Sequence, residues 1–182
     1  MSRELPPPEF RVCLEDPGMA ALLDHWCALR AGADGRMPPR RAVDPLAVPK
    51  LLQHLMIQER EASGRYRWRL TGTAVAAQLG GNMAGRYLDE VIPAESLAAR
   101  MRLLSQVLDG GRPTLYVGYA VLPRREYKAL RRLILPLADN DGRPAFVLSL
   151  LRFLKRREDA GVEEDVVEMI PPQTAGTITE AA

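Results

Sequence analysis

Few side chains in this sequence could make or break bonds. It holds two histidines, His25 and His54, and two cysteines, Cys13 and Cys27. Neither pair has metal-ligand spacing: there is no CxxC, and the histidines stand far apart. A histidine base would need a nucleophile and an orienting partner, and no Ser-His-Asp or Cys-His constellation is legible. Asp89-Glu90 is the nearest approach to a carboxylate dyad. Neighbours on a helical turn point about 100° apart, so the pair is not a ready acid-base couple. Gly72, Gly80, Gly81 and Gly85 crowd one corner of the chain. They match neither GxxxxGK[ST] nor GxGxxG, and no Lys follows. They read as sites of positive φ and close packing around short helices, with Thr73 a candidate helix cap. No catalytic residue and no metal site is expected.

Charge is the other possible source of binding. The net charge is only +2, but it is unevenly spread. Residues 1–157 carry all 25 bases against 16 of the 23 acids, a net of +9. The remaining seven acids lie beyond Arg157. The densest basic run is PRREYKALRR, from Pro123 to Arg132. Its strand alternates, so Arg131 and Arg132 must lie on opposite faces, and one of them needs a partner or a route to solvent. A solvated hairpin is the simple reading; an acidic partner or a dinucleotide second messenger is the sharper one. No helix-turn-helix, zinc-finger or aromatic-basic RNA motif supports nucleic-acid binding.

The elements that must position these groups follow from periodicity. The chain has 182 residues, 47% hydrophobic and 26% charged, enough for one globular domain with a core. No run is long and apolar enough for a membrane helix, and the first residues lack a signal core, so a cytoplasmic location is expected. Residues 1–15, with PPPEF, read as a flexible start. Asp16-Pro17 is a cap followed by a first-turn proline. Met19, Leu22, Leu23, Trp26 and Leu29 then form one apolar helix face ending near Gly32. Pro49 breaks the next helical segment into short turns.

Two strands follow, LMIQERE and RYRWRL, joined by the turn ASGR. Alternation puts Tyr66, Trp68 and Leu70 on one face of the second strand, with Arg67 and Arg69 on the other. AVAAQL is a helix of under two turns. Leu97, Met101, Leu104, Val107 and Leu108 mark a longer helix ending at Gly110-Gly111. Three strands complete the order: PTLYVGYAVL, YKALRRLILPL and PAFVLSLLRFL. Asp141-Gly142 makes the last two a hairpin. The last strand is apolar on both faces, so both sides of that part of the sheet should be covered. The expected class is α+β, with a five-stranded antiparallel sheet.

This order resembles the PAS fold. The residues that carry the resemblance are RYRWRLTGTAVAAQLGGNMAGRYLDEV, where R-x-x-G-T, a short helix, G-x-x-x-x-G-R and a small helix succeed one another. The Trp26 helix, MPPR, DPLAVPKLLQHL and LILPLADNDGRP resemble the stand-alone single-PAS proteins of alphaproteobacteria. The resemblance covers residues 17–155. Together with composition, it divides the chain into a flexible start (1–15), a helical extension (16–54), a PAS core (55–155) and a disordered acidic tail (156–182).

The resemblance implies a non-catalytic bacterial signalling module that senses a ligand or binds a protein partner. Such domains pair through an N-terminal helix and the outer sheet face, so a homodimer built on Leu22, Leu23, Trp26 and Leu29 is the expectation. Haem is not expected, because the longer helix has no His to serve as axial ligand. Flavin photochemistry is not expected, because no Cys follows residue 27. A small apolar ligand would meet Trp68, Leu70, Val75, Leu79 and Met83 on one part of the wall. Tyr87, Val91, Leu104, Leu108 and Tyr119 would form the rest, although each is also plain core chemistry. An isomerase or hydrolase on a similar curved sheet is the alternative, and would show a buried carboxylate in a cavity. A polyanion binder is the third reading.

Overall fold

Asp16 opens the first long helix as its sequence predicts. Its Oδ1 accepts from the Met19 amide at 2.8 Å, and Pro17 takes the first helical position. The same carboxylate's Oδ2 accepts from Arg152 Nε at 2.9 Å, which pins the helix start to the sheet. The computed structural model describes residues 3–44, 47–121, 127–154 and 164–170.

Four helices are present among them: α1 (Pro7–Leu14), α2 (Pro17–Ala31), α3 (Thr73–Leu79) and α4 (Ala94–Gly110). Seven strands accompany them: β1 (Arg3–Leu5), β2 (Leu55–Arg60), β3 (Tyr66–Thr71), β4 (Thr114–Val121), β5 (Tyr127–Ala138), β6 (Pro144–Phe153) and β7 (Asp165–Met169). They form one sheet in the order β1-β7-β4-β5-β6-β2-β3, antiparallel except where β1 runs parallel to β7. The five strands expected from the sequence are all present, and the α+β class holds.

The additional strands correct two expectations. The start of the chain is structured: β1 extends the sheet, and α1 buries Phe10 and Leu14. Residues 164–170 of the acidic tail are structured as well. There β7 pairs with β4 and buries Val167 and Met169. Val167 and Met169 stand two apart and share the buried face, a short strand pattern hidden in an acidic segment. Two of those acids pair with bases, Asp165 with Arg3 and Glu168 with Arg112. The rest of the expected tail, 156–163 and 171–182, lies outside the described residues.

Both faces of the sheet are covered, as the doubly apolar β6 requires. Leu148 and Leu150 face α1 and α2, in one core with Leu133 and Leu135. Val147 and Leu151 face the other way, in a second core with Leu104, Val107 and Leu108 of α4. Pro136 fits inside β5 because β4 begins opposite Ile134 and does not reach it. The Pro136 carbonyl instead accepts from Trp26 Nε1 at 2.9 Å, in a buried bond.

One register detail redirects a side chain. The β2–β3 ladder shifts between Ile57 and Gln58, a bulge that leaves Arg69 unpaired. Trp68 therefore stands opposite Gln58 on the α4 face, while Leu70 stands opposite Ile57 and packs toward α2. The expectation that Tyr66, Trp68 and Leu70 share a face fails at Leu70 for this reason.

Candidate functional site

The glycine corner gives the site its shape. Gly72 has ordinary φ, so it is not needed for a left-handed turn. A Cβ there would lie 2.4 Å from the Leu52 carbonyl oxygen and 2.5 Å from that of Gln53. The residue lets α3 start hard against the turn at Pro49–His54. Gly72, not Thr73, holds the cap position, and no side chain caps the helix. Gly80 ends α3 at φ 79°, in the left-handed region glycine favours. α3 is thus held to seven residues.

Beyond it, a turn at Leu88–Glu90 leads into α4. The Tyr87 amide donates to Glu90 Oε2 at 3.1 Å, and its hydroxyl to Glu61 at 3.0 Å. Asp89 accepts from Arg65 at 2.9 and 3.1 Å, so the acidic pair secures a turn.

Between these short elements and the sheet lies a cavity of about 70 Å³. Its apolar wall includes Met56, Trp68, Leu79, Leu88, Leu130 and Leu151. Its polar wall is Gln58, Ser96, Arg100, Tyr119 and Arg132. None of the described lining residues is Asp or Glu.

Arg132 is the unusual member. It is only 2% exposed. Its Nε and Nη2 donate to Ser149 Oγ at 3.0 and 2.9 Å, and Nη2 also donates to Gln58 Oε1 at 2.9 Å. No hydrogen bond from Nη1 exists among the described residues, and no carboxylate there pairs with this guanidinium. Burial pushes its pKa well below the ordinary value, and the Arg100 charge pushes the same way, with Tyr116 opposing. A guanidinium keeps its proton at neutral pH, so the cost stands as a desolvated positive charge. Arg100 carries a second charge to this region, 5.5 Å from the centroid of the Tyr116 ring. Its pKa is also lowered by burial, with Tyr116 and Glu164 acting the other way. Trp68 adds a buried indole N–H without a hydrogen-bond partner among the described residues.

Of the ten side chains expected around a ligand, Trp68, Leu79 and Tyr119 line the cavity. Val75, Met83, Leu104 and Leu108 belong to the same core behind it, and Val91 packs on that core. Leu70 is on the other sheet face because of the bulge, and Tyr87 secures the turn outside the cavity.

Of the polar wall, Tyr119 was expected; Gln58, Ser96, Arg100 and Arg132 were missed, although the sequence held signs of them. Arg100 interrupts the apolar stripe of α4 between Leu97 and Leu104. Gln58 and Arg132 occupy apolar-face positions of their strands. The simple reading of the basic hairpin as solvated is corrected at Arg132. Its neighbour Arg131 does find a partner on the opposite face, Glu15 at 2.7 Å. Residues 122–126 of that basic run lie outside the described residues.

The expected pairing surface is also placed differently. Leu22, Leu23 and Trp26 are 0%, 3% and 1% exposed, and Leu29 packs on the same core. The helix spends its apolar face on its own sheet, so a second copy would find no free surface there. His25 and His54 do not line the cavity, and Cys13 and Cys27 pack on the α1–α2 side. No group of three or more metal-ligating side chains occurs among the described residues, and no described helix is long and apolar enough to cross a membrane.

A family model described as PAS domain matches residues 14–152, taking in α2 and the five strands β2 to β6 but not β1 or β7. No curated protein matches the chain. Among solved structures, that of the Vibrio cholerae VqmA dimer without target DNA is 15% identical with a TM-score of 0.44, over 56% of this chain and 48% of that one. A light-oxygen-voltage domain studied with a flavin analogue is 14% identical at TM-score 0.48, over 62% and 85%. The Rhodobacter sphaeroides LOV protein is 14% identical at TM-score 0.45, over 56% and 59%. The chain spans about half the length of the VqmA chains it matches, 48% and 52%.

Proposed function

The chain belongs to the PAS domain family, and we propose that it is a non-catalytic signalling sensor whose cavity takes a small molecule. The observation that carries this reading is the polar, partly unsatisfied lining of a cavity set between short elements and a covered sheet. Ligand sites combine apolar walls with a few placed polar groups, as here.

The signal would leave through β5. That strand presents Arg132 to the cavity, and four residues later its Pro136 carbonyl holds Trp26 of α2. A ligand that shifts Arg132 changes the balance between docked and loosened α2, a population shift between two states of one chain. Output then passes to a partner protein or to a second copy, through surfaces that the docked helix withholds. Haem and flavin are not proposed as resident groups. The described lining offers no His or Cys, and the cavity is far smaller than either group. An isomerase or hydrolase would draw support from a carboxylate in this cavity, and the described lining supplies none.

Native mass spectrometry of the freshly purified chain tests the reading. A retained small-molecule mass, and slower amide exchange in α2 when it is present, is the expected result. A chain that carries nothing, and whose α2 exchanges identically with and without cell extract, would overturn it.

A further inference from the structure

A buried arginine with no carboxylate partner among the described residues raises a question of charge balance. Removing a guanidinium from water is costly unless an anion or a full set of hydrogen bonds replaces the solvent. Arg132 has five N–H donors. Two neutral acceptors, Ser149 Oγ and Gln58 Oε1, serve the Nε and Nη2 side of the fork. The Nη1 side has none among the described residues. Arg100 adds positive charge to the same cavity, offset in part by Glu164 from outside the lining, and no described acid lines the cavity.

The placement of donors narrows the ligand. Gln58 stands directly opposite Trp68 across the β2–β3 ladder, and Arg132 reaches over β6 to Gln58. The guanidinium end is therefore delivered beside the strand pair that carries the unpartnered Trp68 indole N–H. The lining thus holds two cationic donors, Arg100 and Arg132, together with Trp68, whose buried indole N–H has no partner among the described residues. The remaining wall is apolar, with Leu79, Leu88, Leu130 and Leu151. The volume of about 70 Å³ holds only a few heavy atoms.

The geometry points to a short-chain monocarboxylate as the ligand of this cavity, its carboxylate on Arg132 and its alkyl end among the leucines. This rests on the reading of the cavity as a sensor site and names the chemistry that the site selects. A planar carboxylate matches the fork of a guanidinium. An inorganic anion would leave the apolar wall unfilled, and a neutral molecule would leave the charge unanswered.

Two tryptophans make the test direct, because Trp26 and Trp68 each contribute one indole N–H resonance. The full chain, labelled with ¹⁵N, is titrated with acetate, propionate, butyrate and pyruvate, then with butyramide and phosphate. Trp68→Phe assigns the two resonances. The expected result is a shift of the Trp68 resonance by at least one carboxylate, with Trp26 moved less. Butyramide should bind at least about tenfold more weakly than butyrate, the scale of a charge-assisted hydrogen bond. Arg132→Met, checked for a cooperative melt, should weaken butyrate by a similar factor. The comparison of butyrate with butyramide needs no variant, so it stands even where Arg132→Met fails to fold.

Equal binding of butyramide and butyrate would overturn the carboxylate assignment and leave the cavity a ligand site. Phosphate binding alone would overturn it in favour of an inorganic anion. If no probe, charged or neutral, moves Trp68, the assignment falls together with the sensor reading of the cavity.

Discussion

Arg131 and Arg132 are adjacent in β5 and end in opposite environments. Arg131 reaches Glu15 at 2.7 Å and the Cys13 carbonyl at 3.2 Å, on the side of α1 and α2. Arg132 is buried on the other side, against Ser149 and Gln58. One peptide bond therefore links the α1–α2 face of the sheet to the cavity face. In the proposed sensor, that link is the route by which a bound ligand would act on α2.

Trp26 is core on its own chain, so Trp26→Ala should act on stability before it acts on assembly. Loss of a buried Trp and its bond to Pro136 should cost about 3–5 kcal/mol. Urea unfolding reads this. A mutant of nearly native stability that falls from dimer to monomer in sedimentation would restore the pairing role expected from the sequence.

Gly72→Ala should destabilise by about 2 kcal/mol or more, because the new methyl would meet the Leu52 and Gln53 carbonyls. Both are backbone atoms and cannot rotate away. A near-neutral change in thermal unfolding would show that the turn at Pro49–His54 yields.

Deleting residues 164–182 should lower stability measurably, although the acidic composition alone suggests no effect. The deletion removes β7 and uncovers Leu115, next to the 1% exposed Val167 in the pairing with β4. Met169→Ala alone should cost about 2–5 kcal/mol. An unchanged melting temperature for both would show that β7 does not hold the sheet edge.

His54 should make the fold acid-sensitive. Its pKa lies below the ordinary 6.5, chiefly through burial and then through Arg152, with Asp16 opposing. Above pH 6.5 the imidazole is neutral in both states and contributes no pH dependence. As pH falls below that value, the unfolded chain binds a proton that the folded chain resists, and stability declines until the folded pKa is passed. His54→Gln should flatten the stability profile between neutral pH and about pH 5. Identical slopes for the two proteins would assign the decline to other groups.

Local sequence signals were enough for most of the elements, but not for β1, α1 or β7. Apolar spacing marked α2 and α4, alternation marked five strands, and Asp16-Pro17 and Asp141-Gly142 marked a helix start and a hairpin turn. These signals are local, because a cap, a turn or a periodic face is written within a few residues. The ordered set also carried the family resemblance.

Tertiary structure decided what each face meets. Nothing near Trp26 in the chain says that Pro136 supplies its acceptor or that β5 supplies its floor. Nothing near Leu70 announces the bulge that turns it from the cavity. Val167 and Met169 read as part of an acidic tail until β4 offers them a ladder. Arg132 showed in the sequence only as a charge on an apolar face that needed a partner. Its actual neighbours, Ser149, Gln58 and Arg100, come from three other elements. Burial and charge balance are sums over residues distant in sequence, and only the folded chain performs that sum.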